Sequence, residues 1–106
     1  MADHQAIFKA LAEPSRCQIV EHLSREPLTV RQLTDRLPIG QSAVSQHLEV
    51  LRKAELVRFE PRGASNVYRI DPRGLGAVRA WLDRYWDEAL GNYARLLEDG
   101  EDDDGT

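Results

Sequence analysis

"PIGQSAVSQHLEVLRKAELV", residues 38–57, decides the fold of this chain. Pro38, Ile39 and Gly40 break what precedes them, and helical spacing runs from Gln41 to about Lys53. Stepping about 100° per residue divides this helix into two sides. Ala43, Val44, His47, Leu48, Val50 and Leu51 take one side; Gln41, Ser42, Ser45, Gln46, Glu49, Arg52 and Lys53 take the other. The first side must pack on other helices, so the second is held outward. Its first two turns carry almost no bulk. Short hydroxyl and amide side chains, displayed rigidly just after a tight turn, suit a surface that must approach a polar partner closely.

Upstream of that stretch, three helical patterns appear. "DHQAIFKALA" spaces Ile7, Phe8 and Leu11 helically behind Asp3 as N-cap. "EPSRCQIVEHLSRE" starts a second helix with Pro14 in its first turn, and Pro27 ends it. "LTVRQLTDRL" forms a third, with Thr29 and Gln32 spaced as a capping box. Downstream the period changes. "LVRFEP" and "SNVYRI" are β-rich runs joined by "RGA", a hairpin that turns at Gly63. From Pro72 helical spacing returns and ends at about Leu97. Its apolar residues cover roughly half the circumference, where a helix packed on one small domain needs a stripe nearer 100°. The expected fold is mainly α with a small hairpin, in the order α-α-α-α-β-β-α. A helix, a three-residue turn, a second helix with a polar outer face and a hairpin behind it make a winged helix-turn-helix.

One domain fits the 106 residues, taken as 1–97, with an acidic, disordered tail at 98–106. The formal charge of −4 conceals two regions. Six carboxylates, Glu98, Asp99, Glu101, Asp102, Asp103 and Asp104, crowd that tail. The rest holds 14 basic and 12 acidic residues, and residues 31–73 hold eight basic and five acidic, a net of +3. A mildly basic centre suits a polyanionic partner. No apolar run is long enough for a membrane span, and no secretory signal opens the chain. Cys17, the single cysteine, has no partner for an internal disulfide, so the expected setting is the reducing cytoplasm.

"FKALAEPSRCQIVEHL", "SAVSQHLEVLRKAELV" and "RGASNVYRID" together resemble the ArsR-type (ArsR/SmtB-like) family of bacterial winged-helix repressors, over nearly all of residues 5–97. Two positions depart from the family's usual pattern. Glu13 stands where an Asp cap is common, and Glu55 where glycine usually precedes "LV". The resemblance implies a homodimeric repressor of its own operon, joined through its first and last helices. That agrees with the surplus apolar face of the last helix. The expected interface residues are Ile7, Phe8 and Leu11 with Leu75, Val78, Trp81, Leu82, Tyr85, Trp86 and Tyr93. The aromatic members invite a ligand-pocket reading as well, but their spacing is that of a packed helix seam.

Metal sensors of this family draw thiolates from the helix before the reading helix, or His and carboxylate ligands from the last helix. Here 28–37 contains neither Cys nor His, and the last His in the chain is His47. No metal or other cofactor is expected, and the inducer stays unassigned. A metal site assembled from His4, Cys17 or His22, or a thiol response through Cys17, are the alternatives among repressors. His47 lies inside the inward arc and reads as a packed, hydrogen-bonded histidine; Cys17 borders the apolar arc of its helix and reads as a small buried hydrophobe.

The expected partner is double-stranded operator DNA. Gln41 and Gln46 can bridge the donor and acceptor of adenine, and Ser42 and Ser45 can reach bases or phosphates at short range. Glu49 could accept from cytosine or point past the duplex. Arg62 at the wing tip, with Arg31 and Arg58 in support, supplies phosphate or minor-groove contacts. A nucleophile with a positioned base, a glycine-rich phosphate loop and a metal cluster are all missing, which argues against an enzyme. A winged helix that contacts only proteins is the remaining rival.

Overall fold

The computed structural model describes residues 2–104, and the side chains of 2–99. Helices α1 (His4–Leu11) and α2 (Pro14–Arg25) lead to a short strand β1 (Leu28–Thr29). Helices α3 (Val30–Arg36) and α4 (Gln41–Lys53) follow, then strands β2 (Val57–Arg62) and β3 (Ser65–Ile70) and the helix α5 (Pro72–Asp104). The caps are those the sequence calls for. Asp3 accepts from the Gln5 N–H at 3.1 Å. Thr29 and Gln32 close a reciprocal box: the Thr29 N–H donates to Gln32 Oε1 at 2.9 Å, and the Gln32 N–H to Thr29 Oγ1 at 3.2 Å. Glu13 does the work of an Asp cap, accepting from the Arg16 N–H at 3.0 Å.

Ile19, Leu23, Leu28, Leu33, Val44, Leu48, Leu51, Leu56 and Val57 form the buried centre, with Ile7 and Ala10 from α1. Val44, Leu48 and Leu51 therefore anchor α4 as its pattern requires. His47 sits beside them, 3.4 Å from an Arg16 guanidinium nitrogen through Nδ1 and 3.7 Å from the Glu13 carboxylate through Nε2. It is the packed, polar-partnered histidine expected.

Several expectations need correction. The sheet has three strands, in the order β1-β3-β2, because Leu28 and Thr29 pair antiparallel with Tyr68 and Val67. A two-residue strand has no alternation to read; only the tertiary partner creates it. Val50 is 41% exposed rather than packed, since Ala6, Ala10 and Ala54 line the groove beside it and are too short to cover it. Cys17 is partly exposed, its sulfur 4.0 Å from Glu21 Oε1. The buried arc of α2 centres on Ile19 and Leu23, and Cys17 lies about 200° around the helix from Ile19.

The backbone of α5 runs on to Asp104, past the Leu97 at which hydrophobic spacing ends it. Extending an existing helix through Leu96, Leu97 and Glu98 needs no new nucleus, so the boundary at 97/98 is no break in secondary structure. Of the tail assigned to 98–106, residues 105–106 and the side chains from 100 onward lie outside the described residues. At about 1.5 Å per residue α5 reaches about 50 Å, far beyond the body it springs from. The radius of gyration, 19.6 Å, accordingly exceeds the about 13 Å of a compact chain of this length.

Asp71, only 1% exposed, begins α5 and escaped the sequence reading. It accepts from the Arg73 N–H at 3.0 Å and from the Arg73 guanidinium at 2.7 and 3.1 Å. These hydrogen bonds hold its carboxyl below the ordinary carboxylate range. A lowered pKa in the folded state stabilises fully above the unfolded value, about 3.9, and is lost as pH falls through the folded one. Asp71→Asn keeps a capping oxygen and loses the charge. It is expected to cost about 1 kcal/mol at pH 7, at the low end because Arg73 is largely hydrated. The gap from wild type should narrow as pH falls below about 3.9 and close only below the folded value. Thermal unfolding across that acid range checks this, and a gap that does not narrow contradicts it.

Candidate nucleic-acid interface

Gln41, Ser42, Ser45 and Gln46 are all exposed along one side of α4. Gly40 supplies no side-chain cap, so the first N–H groups of α4 remain available to an outside acceptor. Glu49, two turns further on, is occupied: Arg52 donates to both its oxygens, through Nε at 3.0 Å and through a terminal nitrogen at 2.6 Å. That pairing lowers the Glu49 pKa and raises that of Arg52. Tyr68 lies nearby on β3, tilted against Phe59 with ring centroids 5.3 Å apart. Burial, then the negative charge of Glu49, hold its phenol above the ordinary value. The Glu49 carboxylate therefore spends its acceptors inside α4, and its charge is offset before a polyanion arrives.

The hairpin turns at Gly63, whose φ of +63° is left-handed and natural for glycine. Arg62 and Ser65 face each other across that turn, and both are exposed. A groove of about 670 Å³ runs between the hairpin tip and the α3–α4 body. Arg31 and Thr34 of α3, Gln41 of α4, and Ser65 and Asn66 of β3 line it, and Asp35 is also on its wall. The groove thus joins two residues singled out from sequence, Arg31 and Gln41, to the wing beside Arg62. Thr34, Ser65 and Asn66 went unnoticed. Only the outward faces of α3 and of the first β3 turn could have pointed to them.

Arg58 is not brought to this groove. It pairs in register with Arg69 at the root of the hairpin, and its charge is felt by the buried Asp71. Four residues of strand, about 13 Å, separate it from Arg62.

A second surface lies on α5. Leu82, Tyr85, Trp86, Leu90, Tyr93, Leu96 and Leu97 are exposed, Trp86 to 64% and Tyr93 to 62%. Single exposed apolar side chains are ordinary, but a stripe this long along one helix calls for a partner. Within the protomer, Phe8 meets Trp81 edge-on at 5.1 Å, His4 stacks on Trp81 at 5.9 Å, and Trp81 tilts against Tyr85 at 4.8 Å. The first two contacts seat α1 on α5. Leu11, Val78 and Trp81 are partly buried there, and Leu75 is at the margin of exposure. Ile7 is fully buried in the protomer core and cannot line a surface between copies. One residue is about 100° of helix, so Ile7 and Phe8 point to different neighbours.

Among the described residues, no group of three or more His, Cys, Asp or Glu side chains could hold a metal ion. Nor is any described helix long and apolar enough to cross a membrane.

Residues 13–58 match the family model described as "Bacterial regulatory protein, arsR family". The chain is 50% identical to the HTH-type transcriptional regulator Rv2034 of Mycobacterium tuberculosis, across 91% of this chain and 90% of that protein. Among solved structures it resembles an ArsR-like transcriptional regulator from Rhodococcus sp. RHA1, at 27% identity and a TM-score of 0.72, covering 87% of this chain and 90% of that one. It also resembles the homodimeric winged helix-turn-helix DNA-binding domain of Mb0332 from Mycobacterium bovis, at 26% identity and a TM-score of 0.65, covering 81% and 80%.

Proposed function

Because this chain belongs to the ArsR family of bacterial transcriptional regulators, we propose that it acts in the cytoplasm as a homodimeric repressor, seated on an inverted-repeat operator. The family is one of DNA-binding regulators rather than enzymes, and the winged helix here is built for that use. One observation carries the proposal. The small polar side chains of α4 stand exposed, and Gln41 at their head lines a groove whose other wall is the wing.

Each copy lays α4 into the major groove, where Gln41, Ser42, Ser45 and Gln46 meet base edges. The duplex backbone passes along the groove between α3 and the wing, within reach of Arg31, Ser65 and Asn66. Arg62 contacts phosphate at the wing tip; Arg58 contributes at most to the general field from the hairpin root. The exposed stripe of α5, with Phe8, supports pairing with a second copy, as in the homodimeric Mycobacterium bovis domain.

Arg62→Ala tests the wing. Operator binding should weaken at all sequences alike, and the slope of log K against log salt should become shallower by about one unit, as one phosphate contact is lost. Titrations at four salt concentrations measure it. An unchanged slope removes the wing from the backbone.

A further inference from the structure

The C-terminal end of α4 holds a residue in a costly conformation. Glu55 has φ +60°, the single positive value for a non-glycine residue among those described. It closes the reading helix as a Schellman turn: the Leu56 N–H donates to the Leu51 carbonyl and the Glu55 N–H to the Arg52 carbonyl, both at 3.0 Å. Glycine takes that position without strain. Strain retained where a simpler residue would serve points to a use for the side chain.

That use is visible at the start of α5. The Glu55 carbonyl accepts from the Gly74 N–H at 2.9 Å, and the Leu56 carbonyl accepts from the Asp71 N–H at 2.9 Å. Glu55 Oε1 lies 3.7 Å from a guanidinium nitrogen of Arg73, the same guanidinium that the buried Asp71 grips at 2.7 Å. The joint is also sterically closed, for a Cβ on Gly74 would stand 2.4 Å from the Glu55 carbonyl oxygen. Two backbone hydrogen bonds, one shared guanidinium and a forced glycine bind the end of α4 to the beginning of α5.

We propose that Glu55 is a positioning residue that locks the reading helix to the dimerisation helix through Arg73, so that the two α4 helices of a dimer keep a fixed separation. The inference rests on the operator reading above. In a dimer joined along α5, the separation of the α4 helices is set by the α4–α5 angle in each copy. Any slack at the joint enters twice, once from each copy.

Glu55→Gly relieves the strained backbone and removes the carboxylate, so a positioning role and a purely structural role predict opposite results. Full-length wild type, Glu55→Gly and Glu55→Gln are compared by thermal unfolding, by operator binding, and by the distance between spin labels in the two copies. The labels sit on Lys53→Cys, exposed on α4 and outside the proposed base contacts, in a Cys17→Ser background. For Glu55→Gly the thermal midpoint should hold or rise by a few degrees. The spin-label distance distribution should broaden. Operator affinity should fall about tenfold, with operators lengthened by one base pair bound nearly as well as the native spacing. Glu55→Gln, which keeps the strain and drops the charge, should lose DNA affinity without the gain in midpoint.

Distances, affinity and spacing preference all equal to wild type in both variants would overturn the proposal. So would a Glu55→Gly protein whose midpoint and DNA binding fall together, since that marks a structural residue only. Wild-type protein that selects no duplex defeats the operator reading, and the label distances then decide the joint without DNA.

Discussion

Replacing Ser45 by tyrosine is expected to lower operator affinity by about two orders of magnitude or more while leaving the protomer folded and paired. Ser45 is exposed at the middle of the α4 outer face, where a surface substitution alters stability by less than about 0.5 kcal/mol. Its role in the proposed complex is to be short. A phenol ring there holds the helix axis away from the base edges and removes several contacts at once, each worth about 1–3 kcal/mol. Ser45→Ala is the control: it deletes one hydroxyl and no clearance, so its loss should stay near tenfold or below. Fluorescence anisotropy with operator duplex, alongside circular dichroism, separates the two. Tyrosine and alanine variants with equal affinity would show that no duplex approaches this face.

A charge on the free stripe of α5 should have an effect as large by another route. Leu90 and Tyr93 lie outside the protomer core, so Leu90→Glu with Tyr93→Glu leaves each copy folded. In the dimer, both carboxylates would be taken from water without a partner. The cost is several kcal/mol per site, and two-fold symmetry counts each site twice. Dimer dissociation should rise by at least about a thousandfold, since each 1.4 kcal/mol is tenfold. Sedimentation at micromolar concentration should then find monomer, and operator binding should fall to the level of non-specific DNA. A variant that still sediments as wild type places the interface elsewhere.

The starts of the first three helices and the inward and outward sides of α4 were legible in the sequence because local chemistry fixes them. Asp3, Glu13 and Thr29 cap the helices they precede, and the buried trio of α4 falls where a 3.6-residue period puts it. What depended on neighbours was not legible. The strand at Leu28–Thr29 exists only through Tyr68 and Val67. Val50 carries the pattern of a core residue but borders an open groove of short alanines and cationic side chains, and Ile7 carries that of an interface residue but turns inward. Of the candidate DNA contacts, Arg31 and Gln41 line one groove, Ser42, Ser45 and Gln46 are exposed on α4, and Arg62 is exposed opposite Ser65, which lines the groove too. Arg58 is not brought to it, because strand register alone sets its distance from the wing tip. The α4–α5 joint was least visible of all. Glu55 showed as an odd residue in a familiar stretch, while its partners Arg73 and Gly74 lie across the hairpin from it.

Selection of bound duplexes from a random pool, followed by hydroxyl-radical footprinting of the winners, bears most directly on the central claim. Two copies that each insert α4 should enrich an inverted repeat, with half-site centres about 10–10.5 base pairs apart or slightly more, and protect one face of the duplex symmetrically. A pool that gains no repeat, or a footprint confined to one asymmetric site, would contradict it.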